Sequence, residues 1–283
     1  MRKVTTEFER IAVKIEKSAG SVRSADGTSI AYNRQGGGPA VILVGGGLDD
    51  GSENAPLAAE LAKQFTVYNY ARRGRGDSGD TLPYAVEREI EDIEALIANA
   101  GGSAHLYGVS TGGALALEAA AAGLAIDKVA VYEVPYDMAE DWPQKWRAYV
   151  EELAAVLAEG RRGDALELFM RLAGSSDDEI AAVRDSPYWS GMEGIAHTLA
   201  YDAACLGNGQ PSAARFAAIT QPTLVVTGDE RPPNAARWVL ALDGAADAIV
   251  ASMPNAERLT FEGQGHVADP EAVVGVLGGF FRG

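Results

Sequence analysis

A chain of 283 residues, 47% of them apolar, can bury the core of one large domain, which excludes a disordered or fibrous protein. A formal net charge of −16 argues against a nucleic-acid partner and against an anionic membrane surface, because both need clustered Lys and Arg. The lone cysteine, Cys205, excludes an internal disulfide and fits a reducing compartment.

Met1–Ser18 is charged and has no apolar stretch of signal-peptide type, and no apolar run approaches the ~20 residues that span a bilayer. A soluble, cytoplasmic protein is expected. Glu7–Lys17 carries Phe8, Ile11 and Ile15 at helical spacing, which predicts an N-terminal helix. Ser21–Arg34 reads as a β-hairpin turning at Asp26-Gly27. Val41–Val44 is wholly apolar, the pattern of a strand buried on both faces, and it breaks at Gly45-Gly46-Gly47. A helix over Leu57–Gln64 and a strand over Phe65–Ala71 follow. That strand runs into the bend Arg72-Arg73-Gly74-Arg75-Gly76-Asp77-Ser78. Pro83 is expected to open an amphipathic helix through Asn99, with Ile90, Ile93, Leu96 and Ile97 on one face. His105–Val109 and Lys128–Val134 predict two further strands, separated by a helix of small residues. Strands and helices in this alternation imply right-handed crossovers and a mostly parallel sheet flanked by helices, an α/β fold.

After Pro135 the alternation stops. Residues 136–215 hold helical segments only, over Trp142–Gly160, Arg162–Gly174, Asp177–Asp185 and Met192–Leu206. The sheet pattern resumes at Thr223–Gly228 and Arg258–Phe261, before a last helix over Pro270–Phe281. An all-helical block inside such a series reads as an inserted lid, which divides the chain into a core of 1–134 and 216–283 and a lid of 135–215.

The stretch with chemistry in it is Gly108-Val109-Ser110-Thr111-Gly112, a Gly-x-Ser-x-Gly motif with a strand before it and a helix after. So tight a turn leaves no room for side chains at Gly108 and Gly112. It lifts the Ser110 hydroxyl clear at a helix N-terminus, where free N–H groups favour negative charge. A serine needs a base, and histidine is the usual one. His105 sits at the wrong end of the strand, about 13 Å from Ser110. His197 falls in the inserted block and is read as a lid or surface residue. His266, in Glu262-Gly263-Gln264-Gly265-His266, follows the last strand on a glycine loop that can swing over Ser110. The N–H groups of Gly47 and Thr111 are the expected oxyanion donors. Gly74–Gly79 matches G-x-G-x-x-G, but the next helix starts too late to meet a pyrophosphate and three arginines crowd the loop. Arg75-Gly76-Asp77 is read as a structural bend. No cofactor is expected, and no metal, because no His/Cys cluster has ligand spacing.

With these residues assembled, the chain resembles the α/β-hydrolase superfamily over nearly its whole length. The resemblance rests on Val41–Gly47, the Arg-x-Gly-x-Ser bend at Arg73–Ser78, Gly108–Gly112 and His266, and it lies nearest to small bacterial esterase-like members. It implies an α/β-hydrolase fold with a helical lid. It also implies a Ser110–His266–acid triad acting on an ester, thioester or lactone with a moderately large apolar acyl or alcohol part. A C–C bond-acting or lyase-like enzyme of the same fold is the alternative, and a non-catalytic binder of a small hydrophobic ligand the next. The chain departs from the family's pattern in three places. Gly45-Gly46 stands where many members have His-Gly, and Ala71 where the bend usually begins with Asp. Arg231 occupies the position, three residues after Gly228, that commonly carries the acid. The triad acid is therefore sought at Glu133, at the end of the strand after the nucleophile helix, or at Glu230 or Asp229; absence of an acid is the third possibility. A carboxylate at the end of a buried strand needs a partner. Trp142, Trp146, Met170, Tyr188 and Trp189 in the lid are expected to pack on the body, some of them lining a substrate pocket. Nothing in the sequence fixes an oligomeric state.

Overall fold

The computed structural model describes residues 17–231 and 235–283. The predicted helix over Glu7–Lys17 lies outside them, save that Lys17 opens the first strand. The elements run β1 (Lys17–Arg23), β2 (Ser29–Gly36), β3 (Ala40–Val44), α1 (Ala55–Leu61), β4 (Thr66–Tyr70), α2 (Val86–Ala100), β5 (Ala104–Val109), α3 (Thr111–Ala121) and β6 (Ile126–Tyr132). Helices alone follow: α4 (Trp142–Ala158), α5 (Arg162–Leu172), α6 (Asp177–Arg184), α7 (Trp189–Ile195), a 3₁₀ turn at Ala196–Thr198, α8 (Leu199–Cys205) and α9 (Ala213–Phe216). The sheet then resumes with β7 (Thr223–Gly228), α10 (Arg237–Ala251), β8 (Ala256–Phe261) and α11 (Pro270–Arg282).

Eight strands form one sheet in the order β1-β2-β4-β3-β5-β6-β7-β8. β2 is antiparallel to both its neighbours, and every other pair is parallel. β3 shows why the central strands are apolar throughout. Val41 and Leu43 enter the core beneath α1 and α11, whereas Ile42 and Val44 enter the core shared with α2, α3 and the inserted helices. Helices on both faces leave such a strand no wet side. The order reverses around β3, since β4 lies on one side of it and β5 on the other. In open α/β sheets the crevice at such a reversal, beyond the carboxyl ends of the strands, is where ligands bind. Pairing of Val44 with Gly108, of Val109 with Tyr132 and of Tyr132 with Val226 brings the ends of β3, β5, β6 and β7 level.

Three expectations about helices need correction. α2 starts at Val86, not at Pro83, because Ala85 is extended (φ −151°, ψ 152°) and Tyr84 turns back to donate to Glu89 and to the Tyr201 carbonyl. The single helix expected over Met192–Leu206 is broken at Ala196–Thr198, where the Thr198 hydroxyl donates to the Ile195 carbonyl at 2.7 Å. α10 has no counterpart among the predicted elements, although its buried Leu242, Ala245, Ala246 and Ile249 carry the helical period.

The inserted helices are tied to the sheet by buried charge. Arg72 forms a two-pronged pair with Glu89 of α2 (both contacts 2.7 Å) and donates at 2.7 Å to Asp202 Oδ1 of α8. Arg75 and the Thr111 hydroxyl each reach the same Oδ1 at 2.8 Å. Arg73 pairs in the same way with Asp92 and also reaches Asp26 at 2.9 Å. The three guanidinium groups are among the most buried side chains of the protein. Burial alone would depress the Arg72 ionisation, but Glu89 and Asp202 hold it charged. Nearby, Tyr201 and His197 both contact Asp80, at 2.8 and 3.2 Å. The Gly74–Gly79 loop is thus an arginine platform with no helix start inside it. No helix of the described residues is long and apolar enough to cross a membrane.

Three measurements of unfolding test this packing. Arg72→Met, which strands Glu89 and Asp202 without their cation, is expected to cost about 3–5 kcal/mol in urea denaturation. A Cβ at Gly112 would collide with the carbonyl oxygens of Val44 and Gly45, whereas one at Gly244 in α10 meets nothing within 4 Å. Gly112→Ala should therefore lose about 3 kcal/mol, and Gly244→Ala should gain roughly 0.5–1 kcal/mol. His105 is stacked on Phe281 (centroids 4.9 Å apart), and burial holds its ionisation below the ordinary value. Unfolded chains take up that proton near pH 6.5 and the folded protein only lower. Stability is therefore expected to fall as pH drops through 6.5, and to fall less steeply in His105→Phe.

Candidate active site

Each sequence-predicted site residue stands at the carboxyl edge of the sheet. Ser110 caps α3 one residue beyond β5, at φ 54° and ψ −128°. L-residues rarely adopt that conformation, and it persists only where the surroundings over-determine it. The surroundings here are glycines. A Cβ on Gly108 would fall 2.5 Å from the Gly112 carbonyl oxygen, and one on Gly46 would fall 3.1 Å from Ser110 Cβ. The Ser110 N–H is spent on the Tyr132 carbonyl at 2.9 Å, which fixes the elbow against β6.

Glu133, like Leu48 in the loop after β3, also has positive φ, at 50°. Its backbone N–H still bonds to Val226, but the kink turns the carboxylate toward the loop after β8. There Glu133 Oε2 lies 2.7 Å from His266 Nδ1, and Oε1 accepts from the Gly228 N–H at 3.0 Å. Glu133 is almost wholly buried, and Arg231 Nη1 approaches Oε1 at 3.4 Å. The arginine that stands where an acid is common is thus the counter-ion of a carboxylate one strand away. Glu230, the other acid considered, is exposed and donates its backbone N–H to Gln264; Asp229 accepts from the Gly263 N–H at 2.6 Å. Neither side chain bonds to His266 among the described residues. Both shape the loop that carries it. Gly228 lets that loop come close, since a Cβ there would collide with the Gln264 carbonyl. The Tyr132 hydroxyl donates to the Gly265 carbonyl, and Trp238 packs edge-on to the imidazole at 4.6 Å.

The Nδ1–Glu133 contact leaves Nε2 as the free nitrogen. His266 and Ser110 line one cavity of about 300 Å³, and no hydrogen bond joins them in this structure. Looser geometry before substrate arrives is common in serine–histidine pairs. Gly47 and Thr111 line the same cavity. Arg75 donates to the Gly46 carbonyl, and in a planar trans peptide the N–H of the following residue points the opposite way. The arginine platform therefore orients the Gly47 N–H, and through Asp202 it also holds Thr111. The Gly45-Gly46 departure has a local cause as well: a Cβ at Gly45 would collide with Asp49 Oδ2. Of the two remaining histidines, His105 is buried on the far side and His197 is bonded to Asp80.

Sequence reasoning missed Asp202, Arg72 and Arg75 as parts of the site. The signal available was three arginines directly after a buried strand, which demand buried acids. Two of those acids, Glu89 and Asp92, stand on the apolar face of α2. Among the described residues no group of three or more His, Cys, Asp or Glu side chains converges as metal ligands do.

Comparison with known proteins agrees with this architecture. A hydrolase-fold protein from Sphaerobacter thermophilus, described as an alpha/beta hydrolase, shares 47% identity over 93% of this chain and 100% of its own, with a TM-score of 0.81. The enol-lactonase of Burkholderia xenovorans, at 21% identity and a TM-score of 0.68 over 93% of this chain and 100% of its own, shares the fold. YraK of Bacillus subtilis, an uncharacterized hydrolase, is 33% identical over 96 residues, which are 32% of this chain and 35% of that protein. The match thus spans about a third of the length of that curated relative. Residues 40–276 match the sequence profile of the alpha/beta hydrolase family, and the chain belongs to that family of hydrolase-type enzymes.

Proposed function

We propose that the protein is a serine hydrolase acting on an ester, thioester or lactone with a moderately large apolar acyl or alcohol part. The observation that carries the reading is the 2.7 Å contact of His266 Nδ1 with the buried Glu133, on the sheet edge that also presents Ser110. Glu133 holds the imidazole in the tautomer whose Nε2 is a base. Ser110 Oγ attacks the substrate carbonyl as Nε2 takes its proton, and the proton then passes to the leaving oxygen or sulfur. The N–H groups of Gly47 and Thr111 hold the oxyanion, each worth about 3 kcal/mol in such sites. Water repeats the sequence to release the acid. The helical segment of 135–215 serves as the lid. Trp142, Trp146 and Leu206 from it line the cavity beside Ser110, which supports an apolar substrate part. The enol-lactonase and the chain's other distant neighbours share the fold and do not decide among ester, thioester and lactone.

A fluorophosphonate reagent followed by intact mass measurement tests the nucleophile. One adduct is expected on the wild type and none on Ser110→Ala or His266→Ala. On a chromogenic ester, Glu133→Gln should lower kcat by about 10⁴, whereas Glu230→Gln should leave kcat unchanged. An unlabelled wild type, or equal losses in the two glutamate variants, would sink the assignment.

A further inference from the structure

The cavity has a polar end with one oxygen that the proposed hydrolytic machinery does not use. Asp202 lines it, with a side chain only 7% exposed, and all three of its hydrogen bonds fall on one oxygen, Oδ1. Oδ2 is buried and has no partner among the described residues. Burial by itself would raise the Asp202 ionisation, but Arg75 and Arg72 hold it below the ordinary carboxylate value, so the group is an anion and Oδ2 can only accept. A bare carboxylate oxygen in low dielectric is costly, and buried acceptors are almost always satisfied.

Its neighbours belong to the same cavity. A Cβ on Gly47 would come within 3.4 Å of Oδ2 and 3.9 Å of the Phe169 ring, so the missing side chain at Gly47 leaves no methyl group packed against Oδ2. Tyr149 lines the cavity too, and its hydroxyl bonds to nothing among the described residues. Burial and the Asp202 charge both push the Tyr149 ionisation upward, which keeps it a neutral hydroxyl facing a carboxylate. The other charged group on the wall is Glu53, raised by burial and by Asp49 with His266 opposing. No Lys or Arg among the described residues lines the cavity. Arg72 and Arg75 stand behind Asp202, committed to Oδ1, to Glu89 and to the carbonyls of Gly45 and Gly46. The charge that meets a ligand is therefore negative, set among Trp142, Trp146 and Phe169. Aromatic walls with a carboxylate suit a cation.

We propose that Asp202 is the specificity residue of this cavity, and that the substrate carries on its apolar part a hydrogen-bond donor, an ammonium or a hydroxyl, directed at Oδ2. A substrate bearing a carboxylate at that point would set two like charges in a dry site and is rejected. That the donor belongs to an ester or its relatives rests on the hydrolase reading; that the cavity selects a donor does not.

Four probes with one body separate these statements: 3-phenylpropylamine, 3-phenylpropan-1-ol, its methyl ether, and 3-phenylpropanoate. Calorimetric titration of the wild-type protein reads their affinities without any turnover. The amine and the alcohol are expected to bind roughly ten- to a hundredfold more tightly than the ether, the range for a hydrogen bond to a charged group, and the carboxylate most weakly. The amine should also slow fluorophosphonate labelling of Ser110, which places it in this cavity. In Asp202→Asn, checked for folding by circular dichroism, the amine should lose its advantage over the ether. The proposal is overturned if no probe binds, if the ether matches the amine and alcohol, or if the carboxylate binds best. It is equally overturned if folded Asp202→Asn keeps the wild-type order. Should Ser110 resist labelling while the affinity order holds, the hydrolase reading falls and the donor-selective cavity stands. Should Ser110 label while the affinity order fails, the hydrolase reading stands and the donor-selective cavity falls.

Discussion

The structure depends on one carboxylate oxygen. Asp202 Oδ1 receives Arg72, Arg75 and Thr111 together, and those three groups come from the bend after β4 and the start of the helix behind Ser110. Asp202 itself comes from the helices inserted between β6 and β7. One buried atom thus joins the insertion, the bend and α3, and Arg75 extends the joint to the Gly46 carbonyl. The arrangement is not a device for net stability, since desolvating such charges offsets most of their attraction. Its consequence is geometric. With every guanidinium N–H of Arg72 directed at an acid, a carbonyl or Cys205, the loops at this edge have few other ways to sit.

A second consequence concerns where positive charge is absent. Arginines so near the cavity beside Ser110 invite the assumption that they recognise anionic ligands. Here the bonds they make run to Asp202 Oδ1, to Glu89 and to the carbonyls of Gly45 and Gly46, and the cavity meets the carboxylate instead. The same logic, a charge answered by a charge, explains Arg231. It stands at a position where an acid is common in related chains, and it faces Glu133, the acid held one strand over. Moving the carboxylate from the loop after β7 to the end of β6 leaves the imidazole held by an acid and gives that acid a counter-ion. The cost is a left-handed backbone at Glu133, and the bonds to Val226 and Gly228 on either side hold it there.

Much of this protein was legible in residue order because much of it is local. Apolar runs such as Val41–Val44 announce strands covered on both faces, and the alternation with helices implies a parallel sheet whose carboxyl ends share one edge. Gly108 and Gly112 announce a tight turn, since backbone atoms lie less than 3 Å from where a Cβ would be, and Gly113 announces a close helix, since a Cβ there would fall 2.7 Å from the Val134 side chain. Ser110 and His266 follow from motif and order. The sequence by itself therefore determined the layers of the fold and singled out Ser110 and His266, two residues that the packing brings to one cavity. It could not choose between Glu133 and Glu230, because that choice turns on a single φ angle and on which loop lies over which. Nor could it find Asp202, which is 130 residues from Arg72 and lies in a helix whose own pattern asks for nothing there. Ion pairs are decided by distance in space, and only the packing of the inserted helices onto the sheet sets that distance.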